Sequence, residues 1–144
     1  MKVFVDTSAF LAVLDADDNN HSQAKAVWAG LLNSRTPLLT TGYVLVETYA
    51  LIQHRLGMEA VRVFHEDIEP LLKIEWVDAS LHSLGANAVL AANRRKLSLV
   101  DTVSFAVMRK LGIKKAFAFD QHYIEQGFEC LGFPTRSSTV SRQE

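Results

Sequence analysis

Four carboxylates stand out by where they fall in the chain. Asp6 ends the apolar run Val3, Phe4, Val5, and Asp120 ends the apolar run 116–119. Glu47 sits inside the apolar segment 43–56, with Tyr43 and Val44 behind it and Ala50 and Leu51 ahead on the same helical face. Asp101 follows Ser98 by three residues, has Leu97 and Phe105 one turn away, and opens a segment that stays apolar through Met108. A carboxylate on a buried face is rare unless it is paired or holds a cation. Each acid also has a local explanation. Asp6 can cap a helix, Asp120 can cap or form an Asx-turn, and Ser98-x-x-Asp101 has the form of a capping box. Their joint placement asks for more. Four negative charges gathered at one edge repel one another strongly unless a cation neutralises them. Mg²⁺ or Mn²⁺ takes oxygen ligands, and one or two such ions lower the pKa of an attacking water and stabilise the leaving oxygen of an in-line displacement. That chemistry is the standard apparatus for phosphodiester hydrolysis.

Positive charge that could meet a phosphate backbone lies in two clusters. Arg94, Arg95 and Lys96 precede the Ser98 segment, and Arg109, Lys110, Lys114 and Lys115 precede the Asp120 run. Basic residues also suit helix C-termini for electrostatic reasons alone. His21, His54, His65 and His82 lack ligand spacing and read as surface or capping residues; His122 follows Asp120 and is placed to approach the site. Trp28 and Trp76 read as core residues. There is no GxxxxGK[ST] loop, no GxGxxG, no HExxH and no Cys/His cluster, so nucleotide-loop and zinc chemistries are unsupported.

The elements that must position these residues alternate. Strands are predicted over 2–5, 38–40, 74–77, 116–119 and 129–131. Helices are predicted over 7–14, 22–32, 43–56, 59–72, 79–94 and 99–111, with a short one near His122. Short apolar strands alternating with helices imply parallel βαβ units, hence a three-layer α/β/α sandwich with its site beyond the carboxyl ends of the strands. Residues 1–134 read as one domain, and 135–144 as a polar tail.

The chain has 144 residues and a net charge of −1, which argues against a basic nucleic-acid tail. Setting the four acids aside leaves +3 for the remaining side chains, so a near-neutral total can hide an acidic pit in a mildly basic surface. Asp6 interrupts any secretory h-region, no apolar run reaches membrane-span length, and the single cysteine, Cys130, reads as a small buried hydrophobe. A cytoplasmic location is expected.

The opening Val-Phe-Val-Asp6-Thr7-Ser8, the helical Glu47, the segment Leu97-Ser98-Leu99-Val100-Asp101 and the late Ala118-Phe119-Asp120-Gln121-His122-Tyr123 resemble the PIN domain family, nearest its small VapC-type toxins. The resemblance implies a five-stranded parallel sheet and a Mg²⁺- or Mn²⁺-dependent endoribonuclease, commonly a homodimer with a cognate antitoxin. It places Asp6, Glu47, Asp101 and Asp120 at the family's four acidic positions. It also puts Ser8 near the site, where its hydroxyl is expected to orient a metal-bound water. The alternative is a non-catalytic scaffold of the same fold that binds RNA or a partner protein.

Overall fold

The computed structural model describes residues 1–133; the predicted tail over 135–144 lies outside the described residues. The chain runs β1 (Val3–Val5), α1 (Thr7–Leu14), α2 (His21–Asn33), β2 (Leu38–Thr41), α3 (Gly42–Arg55), α4 (Met58–Val63), β3 (Leu72–Glu75), α5 (Ala79–Ala92), α6 (Leu99–Leu111), β4 (Lys115–Phe117), α7 (Gln121–Glu125) and β5 (Glu129–Leu131). All strand pairings are parallel, in the order β3-β2-β1-β4-β5. Val3, Phe4 and Val5 are each fully buried, as are Ala116 and Phe117 of β4. Successive strand side chains point to opposite faces, so helices cover both faces and the expected α/β/α sandwich is what forms.

The strand order fixes where a site can be. From β1 the chain builds outward through β2 to β3, then returns to β1's other side for β4 and β5. The order therefore reverses between β1 and β4, and such a switch point opens a crevice beyond the carboxyl ends of the two strands. Asp6 follows β1 directly, and its backbone N–H extends the ladder to Phe117 O at 3.1 Å.

Three predicted elements differ. The strand expected over 116–119 is β4 at Lys115–Phe117, so Asp120 does not end the strand but lies three residues beyond it. The helix expected over 59–72 is regular only as α4; it loosens into a π turn at Phe64–Ile68 and a 3-10 turn at Glu69–Leu71. Pro70 falls in that last turn, where it removes an N–H donor and crowds the preceding carbonyls, so an α-helix cannot continue. The chain is released early, and β3 begins at Leu72, two residues before the expected start, with Leu38 to Thr41 pairing in register with Leu72 to Glu75. Trp76 then falls beyond the strand. It is 70% exposed, which overturns its reading as a core residue. Its ring lies flat over Gly42, where a Cβ would come within 2.6 Å of it. Trp28 does pack partly buried against the core.

The helices that deliver the acids are seated tightly. Thr7 of α1 hydrogen-bonds Thr48 of α3 at 2.9 Å, locking together the helices that follow Asp6 and carry Glu47. Thr102 of α6 donates to Gly85 O at 2.8 Å, and a Cβ at Gly85 would stand 2.4 Å from Val103. Only glycine permits α5 to sit this close to α6. The last turn of α5 closes on Asn93, and that of α6 on Gly112, both in the left-handed conformation.

Candidate metal centre

Asp6 is the most constrained acid. It caps α1 and is 5% exposed. One carboxylate oxygen accepts from the Ser8 backbone N–H at 3.1 Å and from the Ser8 hydroxyl at 2.7 Å; the other accepts from the Tyr123 hydroxyl at 2.9 Å. Burial raises its pKa, Ser8 and Tyr123 oppose the rise, and the charge of Asp120 adds to it.

Glu47 projects from α3 at half burial. Burial again raises its pKa, the Thr7 hydroxyl offsets part of this, and Asp6 and Asp120 push it further up. Asp101 occupies the third position of α6 in a complete capping box: it accepts from Ser98 N–H at 3.0 Å, and Ser98 Oγ accepts from Asp101 N–H at 3.1 Å. Its pKa is pushed up to about 6, first by burial and then by Asp120 and Asp6, against hydrogen bonds from Ser98. Asp120 caps α7, accepting from His122 N–H at 2.9 Å. The local capping roles are thus real for three of the four acids, and each of Asp6, Glu47 and Asp101 also has its pKa raised further by the charge of Asp120. Even the Cys130 thiol on β5, pushed up to about 12 mainly by burial, feels Asp120 and Asp6.

His122 lies beside two of these acids. Its Nδ1 lies 2.8 Å from Asp120 Oδ1 and 3.9 Å from Asp101 Oδ2. The orientation there does not make a hydrogen bond, and the buried Nδ1 has no hydrogen-bond partner. Donor atoms of Asp101, Asp120 and His122 all lie within 4.8 Å of one another, a grouping able to hold a metal ion. The donor set fits a divalent cation: carboxylates with raised pKa values at one crevice, and a buried nitrogen without a partner. Sequence reasoning placed His122 near the site but gave it no ligand role. The one available signal was its position two residues after Asp120, inside the helix that Asp120 caps. The other histidines keep to the periphery, as His21 does in bonding Ala12 O at 2.8 Å.

Ser8 donates its proton to Asp6, and its oxygen accepts from Phe119 N–H at 2.9 Å. The hydroxyl thereby ties the end of β1 to the segment before Asp120. The basic clusters separate too. Arg94, Arg95 and Lys96 are exposed on the loop that enters α6 at its Asp101 end, with Arg94 paired to Glu125 of α7 at 2.9 Å. Lys114 and Lys115 lie at the amino end of β4, the opposite edge of the sheet, and Lys115 pairs with Glu129 at 3.7 Å.

A parallel five-stranded sheet with acids beyond its switch point defines an α/β protein whose Asp101, Asp120 and His122 are grouped closely enough to hold a metal ion. Residues 3–129 match the PIN domain model, and the chain belongs to the PIN domain family. It is 38% identical over 128 residues to the 23S rRNA-specific endonuclease VapC20 of Mycobacterium tuberculosis, covering 88% of this chain and 95% of that protein. The crystal structure of M. tuberculosis VapC20, a sarcin-ricin loop cleaving toxin, superposes with a TM-score of 0.78 at 36% identity, covering 88% of this chain and 96% of that one. FitAcB from Neisseria gonorrhoeae shares the fold at a TM-score of 0.65 and 12% identity, over 90% and 96% of the two chains. Among the described residues, no helix is long and apolar enough to cross a membrane.

Proposed function

We propose that this chain is a metal-dependent endoribonuclease, the toxin of a toxin–antitoxin pair, and that it cuts a structured ribosomal RNA loop of the kind its VapC20 relative cleaves. The observation that supports the reading is the grouping of donor atoms of Asp101, Asp120 and His122 within 4.8 Å of one another beyond the carboxyl ends of the strands, where Asp6 also follows β1 directly. Asp6, Glu47, Asp101 and Asp120 would hold one or two Mg²⁺ or Mn²⁺ ions. When bound, such an ion supplies a lowered pKa for the attacking water and charge for the leaving oxygen.

The chain's own residues do the positioning. Ser8 and Tyr123 fix both oxygens of Asp6, so that the carboxylate needs little reorganisation on binding a cation. Ser98 orients Asp101 in the same way. Arg95 and Lys96 stand exposed at the same end of α6 as Asp101, available to phosphates flanking the cut. Lys114 and Lys115, at the amino end of β4, would meet only phosphates farther from the cut. The partners of this reading are RNA, an antitoxin protein and a second copy of the chain, in the cytoplasm.

The test is incubation of the purified protein with a sarcin-ricin loop oligonucleotide and a shuffled control, with Mg²⁺, with Mn²⁺ and with chelator. Metal-dependent cleavage of the loop at one position supports the reading. Binding of either RNA without cleavage under all conditions supports the non-catalytic scaffold instead.

A further inference from the structure

We infer that His122 supplies a nitrogen ligand to the divalent ion held by Asp101 and Asp120, and that this donor biases the site toward a first-row transition ion such as Mn²⁺ over Mg²⁺. The inference rests on the metal-site reading above and adds the identity of a ligand and its effect on ion choice.

The geometry allows it. Two donors on one ion can lie no farther apart than twice a bond length, about 4.2 Å for an ion of this size. His122 Nδ1 meets that limit toward both Asp120 Oδ1 at 2.8 Å and Asp101 Oδ2 at 3.9 Å. The ring is held in place: α7 begins at Asp120, whose carboxylate accepts the His122 backbone N–H, and the next residue, Tyr123, is fully buried. The side chain is 16% exposed, and Nδ1 is buried without a hydrogen bond. A buried polar atom that lacks a hydrogen-bond partner is unfavourable, and ligation to a cation would satisfy it. Imidazole is a weak partner for Mg²⁺, which favours oxygen and sheds water reluctantly, and a good one for transition ions.

The decisive measurement is pulsed electron paramagnetic resonance on the Mn²⁺-loaded full-length protein, without affinity tag or imidazole. A ¹⁴N coupling of directly bound imidazole is expected, and it should vanish in His122→Ala while Mn²⁺ still binds. Calorimetry on the same two proteins should show Mn²⁺ affinity falling by about tenfold or more in the variant, and Mg²⁺ affinity falling less. Mn²⁺ bound with no nitrogen coupling, or a coupling that survives in the variant, overturns the inference. So does tighter binding of both ions in His122→Ala, which would make the ring a competing cation. If wild-type protein binds no Mn²⁺ at all, the metal-site reading itself fails.

Discussion

Tyr123 and Asp6 stand 117 residues apart in the chain, and the Tyr123 hydroxyl donates to Asp6 Oδ1 at 2.9 Å in the interior. Tyr123 is fully buried among Phe4, Phe105 and Phe128, so its hydroxyl has little freedom to point elsewhere. Tyr123→Phe keeps the ring and deletes only that bond. Stability should fall by about 1–2 kcal/mol in urea unfolding. RNA cleavage should fall by about tenfold or more, because Asp6 loses one of the contacts that hold it ready. Unchanged cleavage would show that Asp6 needs no such support.

Ser8→Ala removes more. Asp6 loses its hydroxyl donor, and the Phe119 N–H loses its acceptor. The expected cost is about 1–3 kcal/mol, together with weaker Mn²⁺ binding by calorimetry. If Ser8 served only to orient a water, binding and stability would both stay at wild-type levels.

The acids also set a pH dependence. Asp101 ordinarily titrates at 3.8 and is held at about 6 in the fold, so the folded state binds its proton more tightly than the unfolded chain does. Its stabilising contribution is complete below about pH 3.8 and disappears as pH rises to about 6. Asp6 and Glu47 are raised in the same direction. Metal-free protein should therefore lose stability from these groups as pH climbs through that window. Asp101→Asn should flatten the loss and raise Tm at pH 7 in chelator, while abolishing cleavage. Thermal melts across pH 4 to 7 check this, and a variant melting lower than wild type at pH 7 would contradict it.

Two glycines make a contrast. Alanine at Gly85 would force its Cβ against buried Val103, an overpacking worth about 1–3 kcal/mol. Alanine at Gly42 meets the ring of Trp76, which is exposed and free to swing aside, so the change should be less than about 1 kcal/mol. Chemical denaturation of the two variants should rank them in that order; the reverse order would place the tight helix contact elsewhere.

Arg95→Ala and Lys96→Ala should each weaken RNA binding and reduce the salt dependence of log Kd by about 1, as the loss of one phosphate contact does. Lys114→Ala should leave both unchanged. Filter binding across salt concentrations distinguishes these, and an effect at Lys114 would mean that the RNA wraps to the far edge of the sheet.

Much of this architecture was legible because local and global signals agree. The apolar triplet before Asp6 marks a strand buried on both faces, the apolar run before Asp120 places β4 only to within two residues, and Ser98-x-x-Asp101 marks a helix start that the structure keeps as a complete capping box. The four acids were legible as a set because two end apolar runs and two sit on apolar helices. What stayed hidden depends on tertiary distances. The expected strand over 74–77 misplaced β3 because the sheet register, and not the local apolar pattern, decides which residues pair. Trp76 read as core because its size and its place in a predicted strand both argue for burial, whereas Pro70 shifts it past the strand end. The Ser8–Phe119 and Tyr123–Asp6 bonds join residues more than a hundred positions apart, and no spacing rule reaches that far. A ligand role for His122 was not legible because a histidine two residues after a capping Asp ordinarily serves only the helix.

The most direct test is the rate of RNA cleavage as a function of free Mn²⁺, measured for wild type and for Asp6→Asn. Wild type should show a saturable rise from zero, abolished by chelator, and Asp6→Asn should show none at any concentration. Cleavage that persists in chelator, or that survives in Asp6→Asn, would contradict a carboxylate-held metal as the source of activity.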